Sequence, residues 1–462
     1  MAILVASQSI VKYNEFMIKN LSLLFLMPFW VFALSLPELQ LSESLNEKKH
    51  GNEFLQFIWD TGSIVTDIEM DVYLQELGHE LGRHSENPKK HFGFLLLNND
   101  SINAFAGPYG YIGVHTGMLL SSDSESELAG VLSHEISHVT QNHLIRFSDK
   151  TDKQTYLMWA GMVAALLVNN SDASQAIAAS AVAGTAQKNI NFTREHEWEA
   201  DRIGTTMLSK SGFNPKGMAH FFEKLKDASD AEEFLLSHPL SINRISDSLQ
   251  RAARTSGDYR KDSFDYATIK AKLYYHKHGR IKLEQDKVIT HYMQAYRAFD
   301  QQDYSTAKTH VDQLLKLNHD KPSYVLAGRI SSKLGDIDQA QQYFNQNNLV
   351  EDDEPSVYYV AQAYLDNQQP RSGVAILKPF LRVNKGSYQS YQLLSSLFVK
   401  LGIFDRAHIQ SAKALIVQGK LDKAIGHYTR AKTVTNSQDL YDILSVKIDN
   451  LQQILDLYKD LD

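Results

Sequence analysis

The sequence predicts a mainly helical chain, an α+β domain with a small sheet followed by an α-solenoid. Three observations point there. Small residues recur at steps of about 33 residues through much of the C-terminal part. Short apolar runs broken by turn residues occupy residues 92 to 119. On either side of that stretch, apolar residues return at helical spacing. With 462 residues the chain is too long for one ordinary core, so two or more domains are expected.

Composition narrows the classes. Apolar residues make up 43% and charged residues 22%, the balance of a globular protein. The net charge is −7 with no long basic run, which argues against a nucleic-acid partner. Cysteine is absent, so no disulfide and no thiolate ligand is available, and any metal must take nitrogen and oxygen donors.

The elements follow in chain order. Lys12 and Lys19 precede the apolar run "LSLLFLMPFWVFALS" (21 to 35), which ends in Ala33-Leu34-Ser35, so residues 1 to 35 read as a cleaved export signal. The run falls short of the roughly 20 residues that span a bilayer, and Pro28 interrupts it. "MIKNLSLLF", from Met17, would be a more typical start for such a signal. Export without cysteine fits the periplasm of a Gram-negative bacterium. Residues 55 to 92 read as helical; His79 and His84 stand about 140° apart there and are expected at the surface.

Residues 92 to 119 read as strand and hairpin, punctuated by Asn-Asn-Asp and Gly-Pro-Tyr-Gly. The helical period resumes at Glu125. Residues 156 to 187 are apolar and alanine-rich, broken by "NNSDASQ" into pieces too short to span a membrane. They read as two buried helices or a mobile hairpin; the sharper reading is a membrane-facing lid, with peripheral membrane association.

Beyond residue 262, Ala307, Ala340, Gly373, Ala407 and Ala424 align at one position, with Gly335, Gly402 and Gly419 five residues ahead of three of them. The first three steps match the tetratricopeptide repeat, in which small residues let paired helices approach. The last step, from Ala407 to Ala424, is only half as long and predicts an irregular final unit. The expected domains are 36 to 262 and 263 to 462.

The chemistry lies in "VLSHEISHVTQNH" (131 to 143). His134 and His138 are four apart, about 40° in direction on a helix, so both imidazoles can hold one ion. Glu135 between them completes H-E-x-x-H, whose carboxylate takes a proton from the attacking water. Zinc suits two imidazoles and needs no redox chemistry. A third ligand is then required. His143 would sit about 180° round an extended helix from His134, and the extended H-E-x-x-H-x-x-G-x-x-H pattern fails at Gln141 and Leu144. Downstream, "NFTREHEWEADRIG" offers Glu197 with Asp201, and Glu195 with Glu199 at the same spacing on the opposite face. Spacing leaves these pairs open, and a solvated face paired with Arg194 and Arg202 is the plainer account.

H-E-x-x-H followed by Glu197-Trp198-Glu199-Ala200-Asp201 (E-x-x-A-D) resembles the gluzincin peptidases that include HtpX and the CAAX prenyl proteases. With an export signal ahead and repeats behind, nearly the whole mature chain resembles the β-barrel assembly-enhancing proteases. The resemblance implies a zincin-like metallopeptidase domain holding one zinc ion per chain, with Glu197 as third ligand and Asp201 supporting a ligand histidine. "SHPLSINRISD" matches a family segment whose histidine caps the zinc and keeps the enzyme latent, which falls on His238; Arg244 would lie near the cleft, with substrate or the oxyanion. "INAFAGPYGYIGVHTGML" is similar to the family's edge strand, on which substrate backbone adds as a further strand. The implied role is a periplasmic zinc endopeptidase and chaperone that promotes outer-membrane β-barrel assembly and degrades misassembled barrels. Its partners would be unfolded outer-membrane proteins and, through the repeats, the barrel assembly machinery. The rival is a non-proteolytic chaperone or adaptor with a structural or latent zinc, which would have no need of Glu135.

Overall fold

The structure, a computed structural model, describes residues 45–144, 186–226, 228, 231–255, 257–282, 286–346 and 353–461. The expected signal (1 to 35) and the apolar stretch from residue 156 lie outside them, apart from the last two residues of that stretch. Among the described residues no helix is long and apolar enough to cross a membrane.

The segment that reads as one helical stretch is two helices, α1 (Leu45–Asp60) and α2 (Ile68–Gly82). Thr61-Gly62, with Gly62 at φ 70°, breaks the first. Asp67 starts the second by accepting from the amides of Glu69 and Met70. That helix stops at Gly82, ahead of Asn87-Pro88. His79 and His84 are exposed, as expected.

A three-stranded sheet follows: β1 (Gly93–Leu97), β2 (Ala104–Ala106) and β3 (Tyr111–His115), in the order β1-β3-β2. The central strand β3 runs parallel to β1, pairing Phe94 with Ile112, and antiparallel to β2, pairing Phe105 with Gly113. The β2–β3 link is Gly-Pro-Tyr-Gly, where Tyr109 and Gly110 both take positive φ. A Cβ on Gly110 would run into the His91 carbonyl oxygen, so the turn needs glycine twice over. β2 is an edge strand, beside helix α4.

Helices α3 (Thr116–Ser121), α4 (Glu125–Thr140), α5 (Ala186–Lys210), α6 (Lys216–Leu225), α7 (Glu232–Ser237) and α8 (Ile242–Ala253) complete the layer packed on the sheet. Its core joins Leu74 and Leu77 of α2, Phe94 and Val114 of the sheet, Leu128 and Leu132 of α4, and Phe221 and Phe222 of α6. Gly204 of α5 packs where an added Cβ would stand 3.1 Å from the Ser133 carbonyl oxygen and 3.2 Å from the His134 nitrogen. This close approach sets α5 against the histidine-bearing turn of α4.

Helix α9 (Phe264–His278) lends Tyr266, Ile269 and Leu273 to the same core. Five helix pairs follow it: α10 (Lys287–Asp300) with α11 (Tyr304–Leu314), α12 (Lys321–Lys333) with α13 (Ile337–Phe344), α14 (Glu354–Asp366) with α15 (Pro370–Val383), α16 (Tyr388–Lys400) with α17 (Phe404–Val417), and α18 (Leu421–Val434) with α19 (Gln438–Lys459). The second helices begin at Tyr304, Ile337, Pro370, Phe404 and Gln438, an even spacing of one repeat throughout. The period therefore continues through the last pair. The half-length step has a simple origin. Ala424 lies on a first helix, whereas the other four markers lie on second helices; the register at α19 belongs to Tyr441, which is exposed. Ala307, Ala340, Gly373, Ala407 and Ala424 are all buried. Gly335, Gly402 and Gly419 hold positive φ in the turns between helices.

The array meets the sheet-bearing region at both ends. Near its start, Lys321 pairs with Asp353, Asp265 and Glu76 at 3.1, 3.4 and 3.8 Å, and Arg329 lies 3.6 Å from Glu69. Near its end, Asn52 of α1 donates to the Gly419 carbonyl at 2.9 Å, and Lys420 pairs with Asp60 at 2.8 Å.

Candidate metal centre

Four side chains converge beneath the edge of the sheet. His134 and His138 come from one face of α4, Glu197 from α5, and His238 from the residue that ends α7. One donor atom from each lies within 4.8 Å of the others. Pairwise, His134 Nε2 is 3.0 Å from His138 Nε2, 3.3 Å from His238 Nδ1 and 3.3 Å from Glu197 Oε2. Glu197 Oε1 is 3.3 Å from His138 Nε2 and 3.1 Å from His238 Nδ1. A tetrahedral ion with ligand bonds of about 2.0–2.1 Å holds its donors about 3.3 Å apart, so the spacing fits.

The surroundings favour positive charge at the centre. His134 Nδ1 lies 3.0 Å from Asp201 Oδ1, which leaves its Nε2 lone pair aimed at the other donors. Burial alone would push His134 down, but Asp201 and Glu197 overcome it and raise it to about 10. Burial pulls His138 down to about 3, against the attraction of Glu197. Glu197 resists burial and stays well below the carboxylate range because His238 and His138 face it. The two carboxylates thus favour positive charge here, carried by a proton on His134 in the absence of an ion, while burial keeps His138 neutral.

Glu135 is fully buried beside this cluster. Among the described residues its oxygens meet no side-chain hydrogen bond of normal geometry; His238 Nε2 approaches Oε1 at 3.4 Å, and the Ala106 backbone of β2 lies near. Burial raises its pKa, against the pull of His238 and His134. A buried carboxylate with a raised pKa is suited to accept a proton.

Arg244 has partners other than those the sequence suggests. It is buried in α8, with Nε and Nη2 donating to the two Asp201 oxygens at 2.7 and 2.8 Å. Its Nη1 donates to the Pro239 carbonyl at 2.9 Å and lies 3.0 Å from Glu197 Oε2. The guanidinium thus ties two acidic residues of α5 to the backbone just after His238. Burial raises the Asp201 carboxyl, but Arg244 and His134 outweigh it and lower it.

Two residues outside the expected ligand set also join the site, His143 and Glu199. His143 would face away from His134 only if α4 continued, but the helix ends at Thr140 and Asn142 takes φ 53°. The chain turns back, and His143 Nδ1 comes 2.9 Å from His138 Nδ1. His143 Nε2 lies 3.1 Å from Glu199 Oε2, and its ring stacks on His196 at 4.0 Å. Asn in the position after a helix tolerates the left-handed conformation, so "TQNH" holds the signal for this reversal.

A closed pocket of two imidazoles on an H-E-x-x-H helix, a glutamate on a second helix and a buried carboxylate defines a metallopeptidase. Residues 69–252 match the model of peptidase family M48. The beta-barrel assembly-enhancing protease of Escherichia coli is 30% identical over 437 residues, 89% of each chain. The protein of the same name from Yersinia pestis is 29% identical, covering 89% of this chain and 90% of the relative. The mitochondrial metalloendopeptidase OMA1 of Arabidopsis thaliana is 31% identical over 152 residues, 32% of this chain and 29% of that one. The chain belongs to the family of beta-barrel assembly-enhancing proteases, and its residues 69–252 carry the M48 peptidase match.

Proposed function

We propose that this chain is a periplasmic zinc endopeptidase and chaperone that promotes outer-membrane β-barrel assembly and degrades misassembled barrels. The observation that carries the peptidase chemistry is the single pocket in which His134, His138, Glu197 and His238 offer donors within 4.8 Å. The barrel role rests on the name its full-length relatives carry, and the periplasmic site on the apolar N-terminal run that reads as an export signal.

His134, His138 and Glu197 would hold the zinc, which when bound polarises a substrate carbonyl and makes a water acidic. Glu135 takes the proton from the attacking water and delivers it to the departing amine. Asp201 holds His134 in the tautomer that leaves Nε2 free for metal, and Arg244 holds Asp201. Substrate backbone adds along the edge strand β2, beside Glu135. His238 would supply a fourth donor to the bound zinc and so keep the resting site closed to water and substrate. The helix pairs offer their surface to clients and to the assembly machinery.

The test is metal content with proteolysis of an unfolded outer-membrane protein. Wild type is expected to hold about one zinc per chain. Glu197→Ala should lose it, and Glu135→Gln should keep it while activity falls by about 10²–10⁴. His238→Ala should raise basal proteolysis. Equal zinc in wild type and Glu197→Ala would sink the ligand set; full activity in Glu135→Gln would return the protein to the adaptor reading.

A further inference from the structure

We propose that His143 is a positioning residue for the metal site, the middle member of a Glu199–His143–His138 chain that fixes the tautomer of His138. The inference rests on His138 being a metal ligand through Nε2, the atom that faces His134 and Glu197.

An imidazole that gives Nε2 to an ion must carry its proton on Nδ1, and a buried N–H needs an acceptor. For His134 that acceptor is a carboxylate, Asp201, at 3.0 Å. The group facing His138 Nδ1 is His143 Nδ1, at 2.9 Å. His143 can accept there only if its own proton sits on Nε2. That Nε2 lies 3.1 Å from Glu199 Oε2, a carboxylate that can receive it. The protons are then ordered along the chain: His138 Nδ1–H donates to His143 Nδ1, and His143 Nε2–H donates to Glu199. No proton is transferred.

The geometry is held from more than one side. His143 is buried, and His196 lies parallel to it, 7° from coplanar orientation. His196, Glu197, Glu199 and Asp201 all come from one stretch of α5. That helix therefore supplies a ligand and also anchors both ligand histidines, His134 directly and His138 through His143. The turn at Asn142 is what returns His143 to this position. The i, i+4 pairs Glu197–Asp201 and Glu195–Glu199, open alternatives by spacing, thus have separate tasks: Glu199 serves the far ligand, while Glu195 is exposed.

The test uses the full chain, with Zn²⁺ affinity measured by chelator competition and histidine tautomers by ¹⁵N NMR. His143→Leu should weaken Zn²⁺ binding about 10- to 100-fold, the usual cost of losing a ligand's supporting partner. His143→Asn places an amide oxygen near the position of Nδ1 and should recover affinity to within about threefold of wild type. Glu199→Gln should fall between, because the acceptor remains without its charge. In the zinc-loaded wild type the His138 proton should appear on Nδ1 and the His143 proton on Nε2. Should His143→Leu fail to fold, the tautomers in wild type and the affinity of His143→Asn still decide. His143→Leu binding within twofold of wild type, equal weakening in Leu and Asn variants, or a His143 proton on Nδ1 would each overturn the inference. A wild-type chain that takes up no Zn²⁺ would overturn the metal reading itself, and this inference with it.

Discussion

The site and the repeat array solve burial in opposite ways. Around His134, Glu197, Asp201 and Arg244, charged groups are almost wholly removed from water and are stable only as a mutually satisfied set. In the array the buried positions are mostly small or apolar, Ala307, Ala340, Ala407 and Ala424 among them, and most charged side chains along its helices remain near solvent. The site concentrates its energetics in a few contacts that fail together. The array spreads them over near-identical helix interfaces, so damage there should stay local. The two designs differ because chemistry at a metal centre needs fixed charges in a dry pocket, whereas stacked helix pairs need only apolar contact between neighbours.

The largest difference should come from Arg244→Ala. It strands Asp201 and Glu197 without their guanidinium, and breaking one side of a buried ion-paired set costs about 3–5 kcal/mol. Urea unfolding of metal-free wild type and variant measures it. A loss below about 1 kcal/mol would mean the acidic pair is satisfied some other way, and the contrast between the two regions would weaken.

A pH effect of similar order belongs to His115, on β3. Burial lowers its folded-state pKa to about 4 from 6.5, so between these values the unfolded chain binds more protons. The stability it contributes is present above pH 6.5 and is lost as pH falls toward 4, about 3 kcal/mol in all. His115 Nδ1 lies 2.7 Å from Ser101 Oγ, and His115→Asn keeps an acceptor for that hydroxyl. The variant should be less sensitive to acid between pH 7 and 4.5; an unchanged slope would show that His115 is charged in the fold.

The smallest effect is expected in the array. Ala340 packs in a cluster with Phe344 and Val360, and Ala340→Leu should cost about 1–3 kcal/mol by overpacking. Zinc affinity should not change. A variant that lost metal would show that the array is coupled to the site rather than insulated from it.

What was legible in the sequence was local. His134, Glu135 and His138 could be placed together because a helix fixes the direction of residues four apart through its own hydrogen bonds. The repeat period was legible for the same kind of reason, since each unit repeats a short-range pattern. Where an element ends was harder to read: one helical stretch became two, and α4 stops two residues before the turn that redirects His143.

Tertiary structure decided the rest. The pairs Glu197–Asp201 and Glu195–Glu199 have equal claims by spacing, and the resemblance to known peptidases favours the first; the packing of α5 on α4 puts Glu197 against the histidines and Glu199 against His143. His238 and Arg244 likewise reach the site from segments far along the sequence from the motif. Sequence determines what neighbouring residues can do together, because covalent geometry and local hydrogen bonds hold them. Which distant groups meet, and hence which carboxylate supports which imidazole, depends on the paths of turns and on whole faces burying each other, which short-range pattern does not encode.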